Sequence, residues 1–254
     1  MRSGPVRGLA RGGQLIAAGG DAGTFRVWDL AGHPGKPHEL APDDNPKAYR
    51  YQYGAAVSPD GTLVAVGGYS NRIRAWAMTA DGPAASPQRW KASGTVWALS
   101  FSPDNRTLAI GADRVVELAR PGDSAAPQTF ASLSAPVTAL AYGDRGRILA
   151  IGTEDGTVEL WDVHTRSRAL ALATHEGAVR ALHFTPRGDR IAIVGERGAT
   201  RWWTLDTDWA RDHACRTASA PDPQEWQRLL PDVSRSEVLK ATHWRAAQSP
   251  ARTP

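Results

Sequence analysis

One pattern recurs five times along this chain and decides what the chain can fold into. The copies are ARGGQLIAAGGDAGTFRVWD from Ala10, SPDGTLVAVGGYSNRIRAW from Ser58, SPDNRTLAIGADRVVEL from Ser102, GDRGRILAIGTEDGTVELWD from Gly143 and TPRGDRIAIVGERGATRWW from Thr185. Their starts are spaced by roughly 40 to 48 residues, a period at which each copy is one supersecondary unit that must stack on its neighbours to bury a core. In four copies a Trp falls at the same place (Trp28, Trp76, Trp161, Trp203), and the shorter third copy is read as putting Leu118 there.

Each unit has the same physical grammar. An alternating stretch such as VWALSF (Val96–Phe101) or VRALHF (Val179–Phe184) reads as a strand. A Pro-Asp-Gly type of turn reverses the chain, because Pro presets φ and Gly accepts a positive φ. A second strand of small and apolar residues follows (LAIG, IAIV), then a tight turn such as EDGT, then a third strand ending in the Trp. No helix of useful length fits within a unit. Three to four antiparallel strands per unit predict an all-β chain, a β-propeller of about five blades over residues 1–204.

The repeats resemble those of the WD-repeat family, most closely in VTALAYGDRGRILAIGTEDGTVELWDV (Val137–Val163), and the Trp-Asp dipeptide stands at Trp28-Asp29 and Trp161-Asp162. The resemblance covers residues 6 to about 204 and implies a protein-interaction scaffold. The family's buried polar tetrad joins a His, a hydroxyl, an Asp and the Trp. Here Asp155 and Trp161 share a unit, but Leu133 stands where the His would be, and His175 serves a unit whose turn carries Arg197 in place of Asp. Apolar packing is therefore expected to supply most of the blade stability.

From Leu205 the grammar changes. LDTDWARDHACRTA and APDPQEWQRLLPD read as short helices, the second with Asp222 as cap, Pro223 at the first helical position, Glu225 three after the cap and Pro231 as the stop. Residues 205–231 are predicted as a short helical C-terminal tail, and residues 232–254, which lack periodicity, as disordered. Asp206, Trp209, Cys215, Glu225, Trp226, Leu229, Pro231 and Asp232 resemble the segment after the last blade of large actinobacterial WD-repeat signalling proteins. That resemblance implies a sensing or docking module.

Strand accounting adds an expectation of its own. The fifth unit passes from Arg201-Trp202-Trp203-Thr204 into helix, and residues 1–5 are too few for a strand, so the fifth blade is predicted to lack one. The expectation is the C-terminal part of a larger ancestral propeller, with an open or strained five-blade ring. Exposed edges recruit strands, so a homodimer through an open blade edge is the alternative.

Composition narrows the function classes. Lys+Arg 30 against Asp+Glu 26 leaves a net charge of only +4, so a nucleic-acid partner is not expected. The single Cys215 excludes an intramolecular disulfide and a Cys-clustered zinc site. No apolar run reads as a signal peptide or a membrane span, and a cytoplasmic location with no membrane partner is expected. No Gly-rich stretch ends in Gly-Lys-Ser/Thr, and no Gly-x-Ser-x-Gly occurs. His175-Glu176 has Val179 where a zinc-protease motif needs its second His, and Asp43-Asp44-Asn45 lies between Pro42 and Pro46 with no Glu at EF-hand spacing. The reading is a non-enzyme with no catalytic group, no cofactor and no metal. A propeller hydrolase or lyase, or a truncated non-functional remnant of a larger signalling protein, is the alternative.

Binding remains. In a propeller the first strand of each blade lines the central channel, and the residue after its opening position lies near one mouth. That position holds Arg7, Tyr53, Trp97, Thr138 and Arg180. Trp, Tyr and Arg dominate protein interfaces, which makes these five the candidate site for a protein or peptide partner. Against it stands the plainer reading that Tyr53 and Trp97 pack on neighbouring blades while the arginines are solvated. A run Tyr49-Arg50-Tyr51-Gln52-Tyr53 is read as sheet packing rather than base stacking.

Overall fold

A computed structural model describes residues 6–20, 25–31, 36–40, 52–174 and 177–205. They form five antiparallel sheets, one per sequence repeat, each a propeller blade. Blade 1 contains β1 (Val6–Gly12), β2 (Leu15–Gly20), β3 (Phe25–Asp29) and β4 (His38–Leu40). Blade 2 contains β5 (Gln52–Val57), β6 (Leu63–Gly68), β7 (Arg72–Thr79) and β9 (Gln88–Lys91), with the two-residue β8 (Gly82–Pro83) folded back on the end of β7. Blade 3 runs through β10 (Val96–Phe101), β11 (Leu108–Ala112), β12 (Val115–Ala119) and β13 (Gln128–Ser132), and blade 4 through β14 (Val137–Gly143), β15 (Ile148–Thr153), β16 (Thr157–Asp162) and β17 (Ser167–Ala173). Blade 5 has three strands, β18 (Val179–Phe184), β19 (Arg190–Gly195) and β20 (Thr200–Thr204). It is one strand short of the others among the described residues, as the strand accounting expects. The only helical turn described is a short 3-10 segment, Asp144–Gly146. The predicted tail helices lie outside the described residues, as do His175 and the Asp43-Asp44-Asn45 loop.

The turn between the first two strands is tied in the same way in three blades. Ser58 Oγ and Ser102 Oγ donate to Asp60 and Asp104 at 2.6 and 2.5 Å, and Thr185 Oγ1 donates to Asp189 at 2.6 Å. The same hydroxyls accept the N–H of Leu63, Thr107 and Arg190. A short hydroxyl residue followed by Pro, with an Asp two or four residues on, thus closes its own turn. The Ser102 hydroxyl, with the Arg106 N–H behind it, holds the Asp104 carboxyl below its ordinary range.

The core lies between blades rather than within them. The first strands pack side by side in the order β1, β5, β10, β14, β18. One cluster joins blades 1 and 2 around Phe25, Val27, Val64 and Trp76, another joins blades 2 and 3 around Ile73, Leu99, Leu108 and Ile110, and a third joins blades 3 and 4 around Val116, Val137, Leu149 and Ile151. The seating rests on glycines. Val96, Val137 and Val179 are fully buried where they meet Gly67, Gly111 and Gly152 of the preceding blade. A Cβ on those glycines would lie 2.7, 2.7 and 2.5 Å from the valine Cγ1, closer than packed carbon atoms come.

The two ends of the series break this pattern. Val6 occupies the position of Val96, Val137 and Val179, and Leu9 that of Leu99, yet they are 66% and 72% exposed. Arg11 stands, exposed, where Val57, Phe101 and Phe184 are buried. At the other end Val194 pairs with Ala181 as Gly111 pairs with Ala98, so blade 5 has no glycine socket. Among the described elements β18 does not pack on β1 as the intervening first strands pack on one another.

The register corrects one detail of the repeat alignment. Leu108 pairs with Ala119 as Leu149 pairs with Trp161, so Ala119, and not Leu118, takes the Trp position in blade 3. The two-residue turn at Asp113 and Arg114, with Asp113 at φ 48°, is one residue shorter than its blade 4 counterpart and shifts the strand that follows.

Candidate functional site

Every candidate residue sits at a β-bulge. The pairing of the first two strands slips by one residue between Val6 and Gly8, Gln52 and Gly54, Val96 and Ala98, Val137 and Ala139, and Val179 and Ala181. The residue left over is Arg7, Tyr53, Trp97, Thr138 and Arg180 in turn. A bulge frees one side chain from the alternation of the strand and re-aims it. Five bulges at one register position therefore give the blades a common row of redirected side chains.

The structure brings two of the five together directly. The rings of Tyr53 and Trp97 stack with centroids 4.5 Å apart and planes 16° from parallel, which joins blades 2 and 3. Trp97 remains 38% exposed, and its Nε1 donates to Asp113 Oδ1 at 3.2 Å. Asp113 Oδ2 accepts the Thr95 N–H at 3.3 Å, so the carboxylate fixes both the indole and the chain leading into its strand. The stack is thus an interblade contact, the packing that the plainer reading expects of Tyr53 and Trp97, with Trp97 still part-exposed.

The other three residues have separate settings. Thr138 Oγ1 donates to Val179 O at 2.6 Å, a hydrogen bond from blade 4 to blade 5, and lies 3.3 Å from Gly152 O. Arg180 is paired with Glu196. Arg7 is exposed on β1.

Sequence reasoning missed the residues that support this row. Asp113, Glu154 and Glu196 each follow the second strand of their blade, with Tyr69, 68% exposed, at that position in blade 2. The signal was available: an acidic residue recurs there in step with the bulge position, and two of the three hold the bulge residue of their own blade.

The tetrad is partly built in blade 4. Thr153 Oγ1 donates to Asp155 Oδ1 at 2.7 Å, and this bond, with the Thr157 N–H, holds the Asp155 carboxyl below its ordinary range. Trp161 Nε1 turns instead to Glu159 Oε2 at 2.8 Å, and Glu159 is also paired with Arg168 at 3.0 Å. Among the described residues no three His, Cys, Asp or Glu side chains are grouped to hold a metal, and no helix is long and apolar enough to cross a membrane.

Comparison with known families follows the blades. The family described as WD domain, G-beta repeat matches residues 52–77 and 87–118, and the anaphase-promoting complex subunit 4 WD40 domain family matches residues 128–185. These matches support a WD-repeat family. Transducin-like enhancer protein 2 of Mus musculus is 26% identical over 145 residues, which is 57% of this chain and 19% of that protein. The alignment thus spans less than a fifth of that relative's length. The matched segments span blades 2 to 4 and the first strand of blade 5, where the glycine sockets and the Tyr53–Trp97 stack occur.

Proposed function

We propose that this protein is a non-catalytic interaction module that binds a protein or peptide on the row of bulge residues, with Trp97 as its centre. The observation that carries the reading is the Tyr53–Trp97 stack, held by Asp113 and raised on two bulges while the indole stays 38% exposed. An anchored aromatic with an open edge binds without first losing side-chain entropy, which is what dominant interface residues have in common. WD-repeat propellers as a group serve as interaction platforms, and the row supplies this chain with a surface of that kind.

Site-specific photo-crosslinking tests it. A photoreactive residue in place of the exposed Tyr69, beside the row, is expected to capture a protein in host cells, and Tyr53→Ala in the same chain is expected to abolish the capture. Capture that survives Tyr53→Ala and Asp113→Ala would show that the row is not the binding face.

The finer reading is that the module is the sensing or docking part of a bacterial signalling protein working in the cytoplasm. The tail residues Asp206, Trp209, Cys215, Glu225, Trp226, Leu229, Pro231 and Asp232 support it by resemblance. A homodimer through the edge of blade 5 is the second reading, favoured by the three-stranded sheet and by Trp202, 60% exposed on β20. Light scattering over a concentration series tests it, since a constant mass near 27.2 kDa contradicts strand exchange between chains.

A further inference from the structure

A groove lies between blades 3 and 4 at the ends of the strands away from the bulge row. Its volume is about 330 Å³, and its walls are the end of β12 with the loop that follows, and the turn after β16. Asp113 precedes β12 and Arg120 follows it, so the five-residue strand separates this groove from the Trp97 site by roughly 16 Å.

One wall is held in place from blade 2. Gln88 Nε2 and Trp90 Nε1 both donate to Asp123 O, the latter at 3.3 Å, and the Gly122 N–H donates back to Gln88 Oε1 at 2.8 Å. The Asp123 carboxylate is engaged by the Ala125 N–H at 2.9 Å. Leu118 and Val163, both half-buried, supply apolar surface. Arg120 and Arg166 stand exposed on opposite walls, and neither has a side-chain partner among the described residues. Nearby Arg147 differs in being paired with Asp162 at 3.1 Å. The groove therefore offers two guanidinium groups against the one carboxylate of Asp123, a net positive charge across an apolar patch.

We infer that this groove is a second docking site, taking an acidic peptide segment whose carboxylates pair with Arg120 and Arg166 while an aliphatic side chain rests on Leu118 and Val163. Charge complementarity favours a peptide over nucleic acid. Two cations flanking an apolar patch match a short acidic-aliphatic segment, whereas a phosphate backbone is held by a longer run of cations. The inference does not rest on the bulge row, and a chain that lost Trp97 would still bind here.

Fluorescence anisotropy on the full chain tests it, with a fluorescein-labelled pentapeptide carrying a central leucine between two pairs of glutamates. Binding is expected with a dissociation constant below about a millimolar. Arg120→Glu and Arg166→Glu are each expected to weaken it by about tenfold, in line with loss of one charge-assisted contact. The glutamine version of the peptide should bind no better than the double variant, and Trp97→Ala should bind like the wild type. Both arginines are exposed, so circular dichroism and thermal melting should be unchanged by their reversal. Absence of binding, equal binding by the double variant, equal binding of the glutamine peptide, or tighter binding of single-stranded polyuridine would each overturn the proposal.

Discussion

A Cβ on Gly111 would stand 2.7 Å from Val137 Cγ1 and 3.4 Å from Ala98 Cβ, so a missing side chain in blade 3 is what seats the first strand of blade 4. Gly111→Ala is expected to destabilise the protein by about 1–3 kcal/mol, because both neighbours belong to packed strands and cannot give way cheaply. Chemical denaturation of the variant measures the loss, and an unchanged midpoint would show that the seating is looser than the geometry requires.

The valine side of the same joint separates a middle blade from an end blade. Val137→Ala removes two methyl groups from a fully buried site and is expected to cost roughly 2 kcal/mol, from lost burial plus the cavity left behind. Val6→Ala makes the same chemical change at the equivalent position, 66% exposed, and is expected to lie within about 0.5 kcal/mol of the wild type. Equal losses in paired denaturation curves would mean that the near face of blade 1 is covered in solution.

The turn carboxylates set the response to acid. The Asp104 carboxyl lies below its ordinary value of 3.8, first through the Ser102 hydroxyl, and those of Asp155 and Asp189 are lowered first by Thr153 and Thr185. A folded-state value below the unfolded one means that the unfolded chain binds protons first as the pH falls. Stability from these turns is therefore fully present above the ordinary carboxylate range and is lost as the pH falls through the lower folded value. Ser102→Ala should lower stability most near neutral pH, and the gap should narrow as Asp104 is protonated in both states, down to the pH-independent part that comes from the lost bond to the Thr107 N–H. Denaturation midpoints measured from neutral pH to well below 3.8 check the closing gap.

The bulge row should separate binding from stability. Tyr53→Ala removes a stacked pair worth about 0.5–1.5 kcal/mol beyond its buried area, so the fold should survive. Trp97→Ala is expected to reduce partner affinity by about 2 kcal/mol or more once a partner is in hand, as truncation of a central interface aromatic does. Titration calorimetry with the crosslinked partner measures it. A Trp97→Ala protein that binds as tightly as the wild type would reduce the stack to an interblade contact alone.

Blade number, strand order within a blade and the reversing turns were all legible in the sequence, because each is enforced by residues close to one another along the chain. Ser58 with Asp60, and Ser102 with Asp104, close their turns within two residues. The alternation in Val96–Phe101 needs no distant partner to be read as a strand. Five copies of that local grammar determined the propeller, down to a fifth blade with three strands among the described residues. The register of blade 3 was decided by the tertiary structure, since one residue lost from the turn at Asp113 moves every later pairing and only the pairing of Leu108 with Ala119 shows where the slip falls. The bulges were decided there too. A bulge is the mismatch of two strands, and neither Trp97 nor its strand carries that mismatch alone. The sequence named Arg7, Tyr53, Trp97, Thr138 and Arg180 by position. Which of them meet depends on how blades pack side by side, and that packing rests on Gly67, Gly111 and Gly152, where the space for a valine from the next blade exists only once both blades have folded.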